Sequence, residues 1–272
     1  MALFQCSLFS TSLCFGTSFH VIIPSPDSDE LMNKKDSSYF KEGVEFPVLY
    51  LLHGAYGDYT DWQRQTGIER YAQKHKIAVV MPSASNSFYQ DMHRGSAYYT
   101  YLTEELPSFI ERTFPVSTRR EDTFVAGLSM GGYGALRLAL MCPEKYQACI
   151  SLSGAVDLEQ LMEAVNSGNV TGPFQWHNIF EHPEGIRNTE ADLFYLMERN
   201  QKQNRPIPDI FQSCGTEDFL YSINVAADKK MTDLGIRHTF ETHPGVHDWD
   251  YWDLHIQRAM DWLPLNNHKL EE

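Results

Sequence analysis

Ser129 stands in Gly127-Leu128-Ser129-Met130-Gly131, between the strand-like run Thr123 to Ala126 and the helix-like run Tyr133 to Leu140. A serine on a tight strand-to-helix turn points its hydroxyl into the cleft at the carboxyl edge of a sheet, and glycines two residues to either side let the backbone pass. That hydroxyl is a weak nucleophile until a base takes its proton, and the base needs a carboxylate to orient it. His247 offers the base, in the turn-like Pro244-Gly245-Val246-His247-Asp248 ahead of a Trp-rich helix. Glu217 or Asp218 offers the carboxylate, in Cys214-Gly215-Thr216-Glu217-Asp218 directly after the apolar strand candidate Ile210 to Ser213; either can accept from an imidazole. The chemistry of such a set is attack on an acyl carbonyl and transfer of the acyl group to an acceptor.

Acyl transfer also needs donors aimed at the oxyanion, commonly the amide after the nucleophile and one from a loop after an earlier strand. Met130 supplies the first. For the second, the buried-strand run Val48 to Leu52 leads into His53-Gly54-Ala55-Tyr56-Gly57-Asp58, whose glycines permit a tight turn under a substrate. Ala55 is the first candidate donor and Gly54 the second. His238 and His243 precede His247, but their spacing fits no zinc signature, so neither is read as a ligand and no metal is expected. The chemistry requires no organic cofactor.

These groups need a sheet to hold them at one edge. Strand-like runs at Val48 to Leu52, Ile77 to Met81, Thr123 to Ala126, Ala148 to Leu152, Ile210 to Ser213 and His238 to Glu241 alternate with helical patterns, predicting a mostly parallel sheet with helices on both faces. Leu3 to Phe9 and Ser18 to Pro24 predict an antiparallel edge, and the polar stretch Ser25 to Gly43 a mobile loop. Gly132, Gly134 and Ala135 are small where the helix after Ser129 must lie on the sheet, and Pro143 ends that helix. A final helix, Asp248 to Leu263, carries Trp249, Trp252, Ile256, Ala259, Met260 and Leu263 at helical spacing, which reads as core.

The segment Asp157 to Pro208 is too long for an ordinary crossover and predicts a small cap inserted into a single domain spanning residues 1–272. Trp176 and His177 are candidates for substrate contact, set against the plainer reading that they pack within the cap. Asp91, with Tyr89 and Arg94 in the loop Ser87 to Ser96, is a further candidate.

On Leu51-Leu52-His53-Gly54, Thr113-Phe114-Pro115, Gly127 to Gly132, Gly215 to Leu220 and Gly245 to Trp249, the chain resembles the esterase D branch of the α/β hydrolases. That branch includes tributyrin, feruloyl and acetyl-xylan esterases, S-formylglutathione hydrolase and the antigen 85 mycolyltransferases. The resemblance runs along nearly the whole chain and agrees with the order serine, acid, histidine. It implies the α/β-hydrolase fold, a triad of Ser129, Asp218 and His247, and oxyanion donors at Met130 and Ala55. Asp218 is thereby favoured over Glu217. Ala55-Tyr56-Gly57 stands where S-formylglutathione hydrolases carry a Cys-Thr segment, which argues against formylglutathione as the main substrate.

The implied activity is hydrolysis of short-chain acyl esters, tributyrin-like, acetyl or feruloyl, on small molecules or carbohydrates. Alternatives are acyl transfer to a sugar or alcohol, peptidase action, and a non-catalytic binding module on the same scaffold. A formal net charge of −14 disfavours nucleic acid and anionic lipid as partners. The apolar, serine-rich amino terminus has no Lys or Arg ahead of it and is not read as a signal peptide, and no apolar run is long enough to span a membrane. Five scattered cysteines, Cys6, Cys14, Cys142, Cys149 and Cys214, read as reduced residues of a cytoplasmic protein. Relatives in this branch often associate, so a homo-oligomer is compatible with the resemblance.

Overall fold

The computed structural model describes residues 1–32, 39–168, 170, 172 and 174–265. Eight strands, β1 (Ala2–Ser10), β2 (Phe15–Ile23), β3 (Val48–Leu52), β4 (Ala78–Pro82), β5 (Thr123–Leu128), β6 (Ala148–Leu152), β7 (Asp209–Gly215) and β8 (His238–His243), form one sheet in the order β1-β2-β4-β3-β5-β6-β7-β8. The pairs β1–β2 and β2–β4 are antiparallel and every other pair is parallel, as the alternating pattern predicted. Strand ends run a few residues past the apolar runs because ladder pairing continues into polar residues. Thr242 and His243, for example, pair with Cys214 and Gly215.

Side-chain alternation sorts the central strands into two cores. Leu49 and Leu51 of β3 pack with Tyr71 and Ala72 of the helix Ile68–His75 and with Ile256, Ala259 and Met260 of the helix Trp249–Trp262. Val48, Tyr50 and Leu52 face the opposite layer, with Leu136, Leu138 and Ala139 of the helix Met130–Met141. Strands covered on both faces explain the unbroken apolar runs in the sequence. Each such aliphatic side chain contributes about 1.5–3 kcal/mol of burial.

The parallel register carries the carboxyl ends of these strands to one edge: Leu52 pairs with Gly127, Leu128 with Leu152, Leu152 with Ser213, and Gly215 with His243. Segments leaving β3, β5, β7 and β8 therefore emerge side by side, where ligand sites of open α/β sheets lie.

Between β6 and β7 the insertion forms the helices Leu158–Asn166, Trp176–Ile179 and Leu193–Lys202. Asp157 and Asp192 cap the first and third by accepting from Gln160 N–H and from Phe194 and Tyr195 N–H. Asn200 donates to Leu140 O at 2.7 Å and Tyr133 OH to Ala191 O at 2.9 Å, which fastens the insertion to the helix Met130–Met141. Of the predicted mobile loop Ser25 to Gly43, residues 33–38 lie outside the described residues. On either side, Ser28–Met32 is helical and Tyr39 is buried with its hydroxyl donating to Glu30 Oε1 at 2.7 Å.

Candidate active site

Ser129 joins β5 to the helix Met130–Met141 with φ 54° and ψ −117°, a conformation costing an L-residue about 1–3 kcal/mol. Its surroundings hold it there. The Ser129 N–H donates to Leu152 O at 2.9 Å, and Ser129 O accepts from Tyr133 N–H and Ala155 N–H, both at 3.1 Å. A Cβ on Gly131 would lie 2.5 Å from His53 O, and one on Gly127 2.3 Å from Gly131 O, so both flanking glycines are sterically required. The serine side chain does not cap the helix. The first-turn amides, Met130 foremost, thus have no intrahelical partner and carry the positive end of the helix dipole.

His247 lies between Ser129 and Asp218. Its Nε2 is 3.0 Å from Ser129 Oγ and its Nδ1 is 2.8 Å from Asp218 Oδ2. A carboxylate only accepts, so Nδ1 carries the proton and Nε2 presents a lone pair to the serine hydroxyl. The Asp218 side chain is fully buried, and its other oxygen accepts from Leu220 N–H at 2.8 Å, leaving no freedom to turn away. Phe219 lies over the imidazole at 4.5 Å between centroids, and Trp252 meets it edge-on at 4.9 Å while donating its indole N–H to Ser153 Oγ at 3.1 Å.

Glu217, the rival carboxylate in the sequence, is engaged elsewhere. Its Oε2 accepts the Gly245 N–H at 2.6 Å, and its own N–H donates to Gly245 O at 3.1 Å. The Gly245 N–H holds this carboxylate below its ordinary pKa.

The loop after β3 is wired by His53, the first residue of the predicted oxyanion loop, whose side chain has no role legible in the sequence. His53 is 1% exposed, and its Nε2 accepts Ala84 N–H at 2.9 Å. The proton must then be on Nδ1, which donates to Gly54 O at 2.6 Å; burial keeps the ring neutral. In a trans peptide the carbonyl and the next N–H point opposite ways, so drawing Gly54 C=O toward the ring turns Ala55 N–H away from it. A Cβ on Gly54 would lie 2.5 Å from Leu128 Cδ1 and 3.7 Å from Ser129 Cβ, so this loop presses on the serine turn.

Trp176 is buried against Phe174 of the insertion and Phe88 of the loop Ser87 to Ser96, with centroids 4.9 and 5.1 Å away. Asp91 anchors its own loop: its two oxygens accept from Thr100 N–H at 2.9 Å and Thr100 Oγ1 at 2.7 Å. Two exposed aromatics escaped sequence reasoning, Phe219 (51% exposed) on His247 and Tyr56 (64% exposed) stacked on Phe174 at 6.1 Å. The only signal for either was adjacency, to Asp218 and to Ala55.

A strained serine on a strand-to-helix turn, hydrogen-bonded to a histidine at the carboxyl edge of this sheet, defines an α/β hydrolase. Residues 35–263 match the Esterase family model, described as "Putative esterase", and the chain belongs to that family. It is 31% identical over 267 residues to an acetyl esterase of Caldicellulosiruptor saccharolyticus, covering 97% of this chain and 98% of that one. Among solved structures it is similar to FphF, a fluorophosphonate-binding serine hydrolase of Staphylococcus aureus in a substrate-bound form (TM-score 0.85, 32% identity, 97% and 99% of the two chains). It is also similar to the apoenzyme of S-formylglutathione hydrolase FrmB from Staphylococcus aureus (TM-score 0.82, 32% identity, 96% and 98%). The protein is a carboxylic ester hydrolase. No described helix is long and apolar enough to cross a membrane.

Proposed function

We propose that this protein is a serine esterase for short acyl esters, acting through Ser129, His247 and Asp218. The observation that carries the reading is the continuous hydrogen-bond chain from Asp218 Oδ2 through His247 to Ser129 Oγ, at 2.8 and 3.0 Å. His247 Nε2 takes the hydroxyl proton as Ser129 Oγ bonds to the ester carbonyl carbon, and the carbonyl oxygen gathers negative charge facing the Met130 and Ala55 amides. Collapse of that adduct breaks the bond to the leaving oxygen, which departs as the alcohol with the proton from His247. Water, losing its proton to the same nitrogen, then attacks the acyl-enzyme and frees the acid and Ser129.

Acetyl and similarly short acyl groups, on small molecules or carbohydrates, are the proposed substrates; the similarity to an acetyl esterase supports this. Residues 157–208 act as a cap within a single domain. Its aromatic wall of Phe174 and Trp176 borders Tyr56 and, through it, the Gly54–Ala55 turn. Five free cysteines, three of them buried, support a reducing, cytoplasmic setting for the chain, as a monomer or a homo-oligomer. Hydrolysis of p-nitrophenyl esters from acetate to palmitate, run beside Ser129→Ala, tests the reading. Turnover is expected to peak at short chains and to vanish in a variant that keeps its fold; near-wild-type turnover by Ser129→Ala would refute it.

A further inference from the structure

Behind the turn that carries His247, three side chains from two elements converge. Glu241 and His243 are two apart on β8 and so project from the same face of the strand, and His255 comes from the helix Trp249–Trp262. One ligating atom from each lies within 4.8 Å of those of the other two, and His243 Nε2 is 3.5 Å from Glu241 Oε2. We propose that Glu241, His243 and His255 form a binding site for a divalent transition-metal ion of the zinc type.

Two imidazoles and one carboxylate are a donor set that zinc accepts, with water as a fourth ligand. Around a tetrahedral ion with bonds of 2.0–2.2 Å, ligand atoms stand roughly 3.3–3.5 Å apart. Glu241 and His243 already have that separation, and closing the rest takes about 1 Å of side-chain movement by that geometry. His243 Nε2 is a buried atom whose contact with Glu241 Oε2, at 3.5 Å, is too long for a well-formed hydrogen bond, a shortfall that an ion would relieve.

The supporting shell is also present. His255 Nδ1 is 3.1 Å from Ser213 Oγ, which in turn is 2.7 Å from Tyr251 OH, and the Tyr251 ring stacks on His255 at 3.9 Å. With Nδ1 so engaged, Nε2 is the nitrogen left to ligate, the arrangement by which ligating histidines are usually oriented. Arg258 competes for the site, since its Nε donates to Glu241 Oε2 at 2.8 Å; its side chain is half-exposed and free to swing out, and Glu241 has a second oxygen. His243, His255 and Arg258 line a surface cavity of about 470 Å³ together with Gly245 and Val246, so an ion can enter from solvent. Spacing along the chain argued against a ligand role for His243, but the fold brings it a partner twelve residues away on a different element.

The test uses the full chain, without an affinity tag, stripped by chelator and dialysed against zinc ion alone. One equivalent is expected to bind in the micromolar range or tighter and to raise Tm by roughly 5 °C at a hundredfold excess over Kd. His243→Gln and Glu241→Gln should each weaken binding at least tenfold with unchanged Tm in chelator, whereas His182→Gln, on the exposed cap surface, should bind as the wild type does. Cobalt(II) on the wild-type chain gives a readout that needs no variant, because a low-coordinate site of nitrogen and oxygen ligands produces strong visible bands. Absence of those bands, or zinc binding unaltered in both site variants, would overturn the proposal.

Discussion

Glu217 and Asp218 are neighbours in the chain, yet their carboxylates grip opposite ends of one turn: Glu217 Oε2 accepts Gly245 N–H at 2.6 Å, and Asp218 Oδ2 faces His247 Nδ1 at 2.8 Å. One sets the backbone of the turn and the other sets the imidazole.

The two carboxylates should therefore separate under mutation. Asp218→Asn is expected to lower kcat on p-nitrophenyl acetate by about 10³–10⁴, because an amide donor in place of the acceptor favours the wrong histidine tautomer. Glu217→Gln retains an acceptor for Gly245 and should cost less than about tenfold, as a single neutral hydrogen bond is worth about 1 kcal/mol. Equal losses in steady-state kinetics would assign the orienting role wrongly.

His53 touches no reacting atom in the proposed mechanism, but it fixes the peptide that presents Ala55 N–H. Removing its ring in His53→Ala leaves Ala84 N–H and Gly54 C=O without their partners, a loss of about 1–3 kcal/mol in stability. Loosening the proposed oxyanion turn should cut kcat by up to about 10² while leaving the pH-rate profile in place. A pH-rate profile displaced along with kcat would contradict a positioning role.

Gly131→Ala tests the steric requirement at the serine turn. Its methyl group would sit 2.5 Å from His53 O and 2.6 Å from Leu52 O, both backbone atoms that cannot rotate aside. Destabilisation of about 1–3 kcal/mol is expected from such overpacking, or a Tm lower by roughly 2–12 °C for a chain of this size, with loss of turnover. Thermal melts of the variant at wild-type Tm would remove the argument.

Burial, with His243 and Arg258 nearby, pushes the pKa of His255 down to about 4, against an ordinary value of 6.5. As pH falls from about 6.5 to 4 the unfolded chain takes up this proton and the folded chain does not, so stability drops across that window, by at most about 3 kcal/mol. Urea unfolding of metal-free protein at pH 7.5 and pH 5 should show this, and His255→Gln should flatten the difference. A wild-type midpoint unchanged between the two pH values would show that His255 does not resist protonation.

Local pattern alone determined much of this protein. The apolar runs that became β3 to β7, the Gly-x-Ser-x-Gly turn and the order of Ser129, Asp218 and His247 are all written at short range, because strand and helix periodicities and tight turns depend on near neighbours. The tertiary structure decided what lies one residue or one element away. Glu217 and Asp218 are equivalent acceptors by chemistry alone; the family resemblance favoured Asp218, and the path of the turn at Gly245 gives the physical reason. His53 was legible as part of the oxyanion loop, but the job of its ring was not, because that depends on the loop at Ala84 coming within reach. His243 and His255 meet because register sets β8 beside β7 and packing lays the last helix beneath both, and neither register nor packing can be counted along a chain.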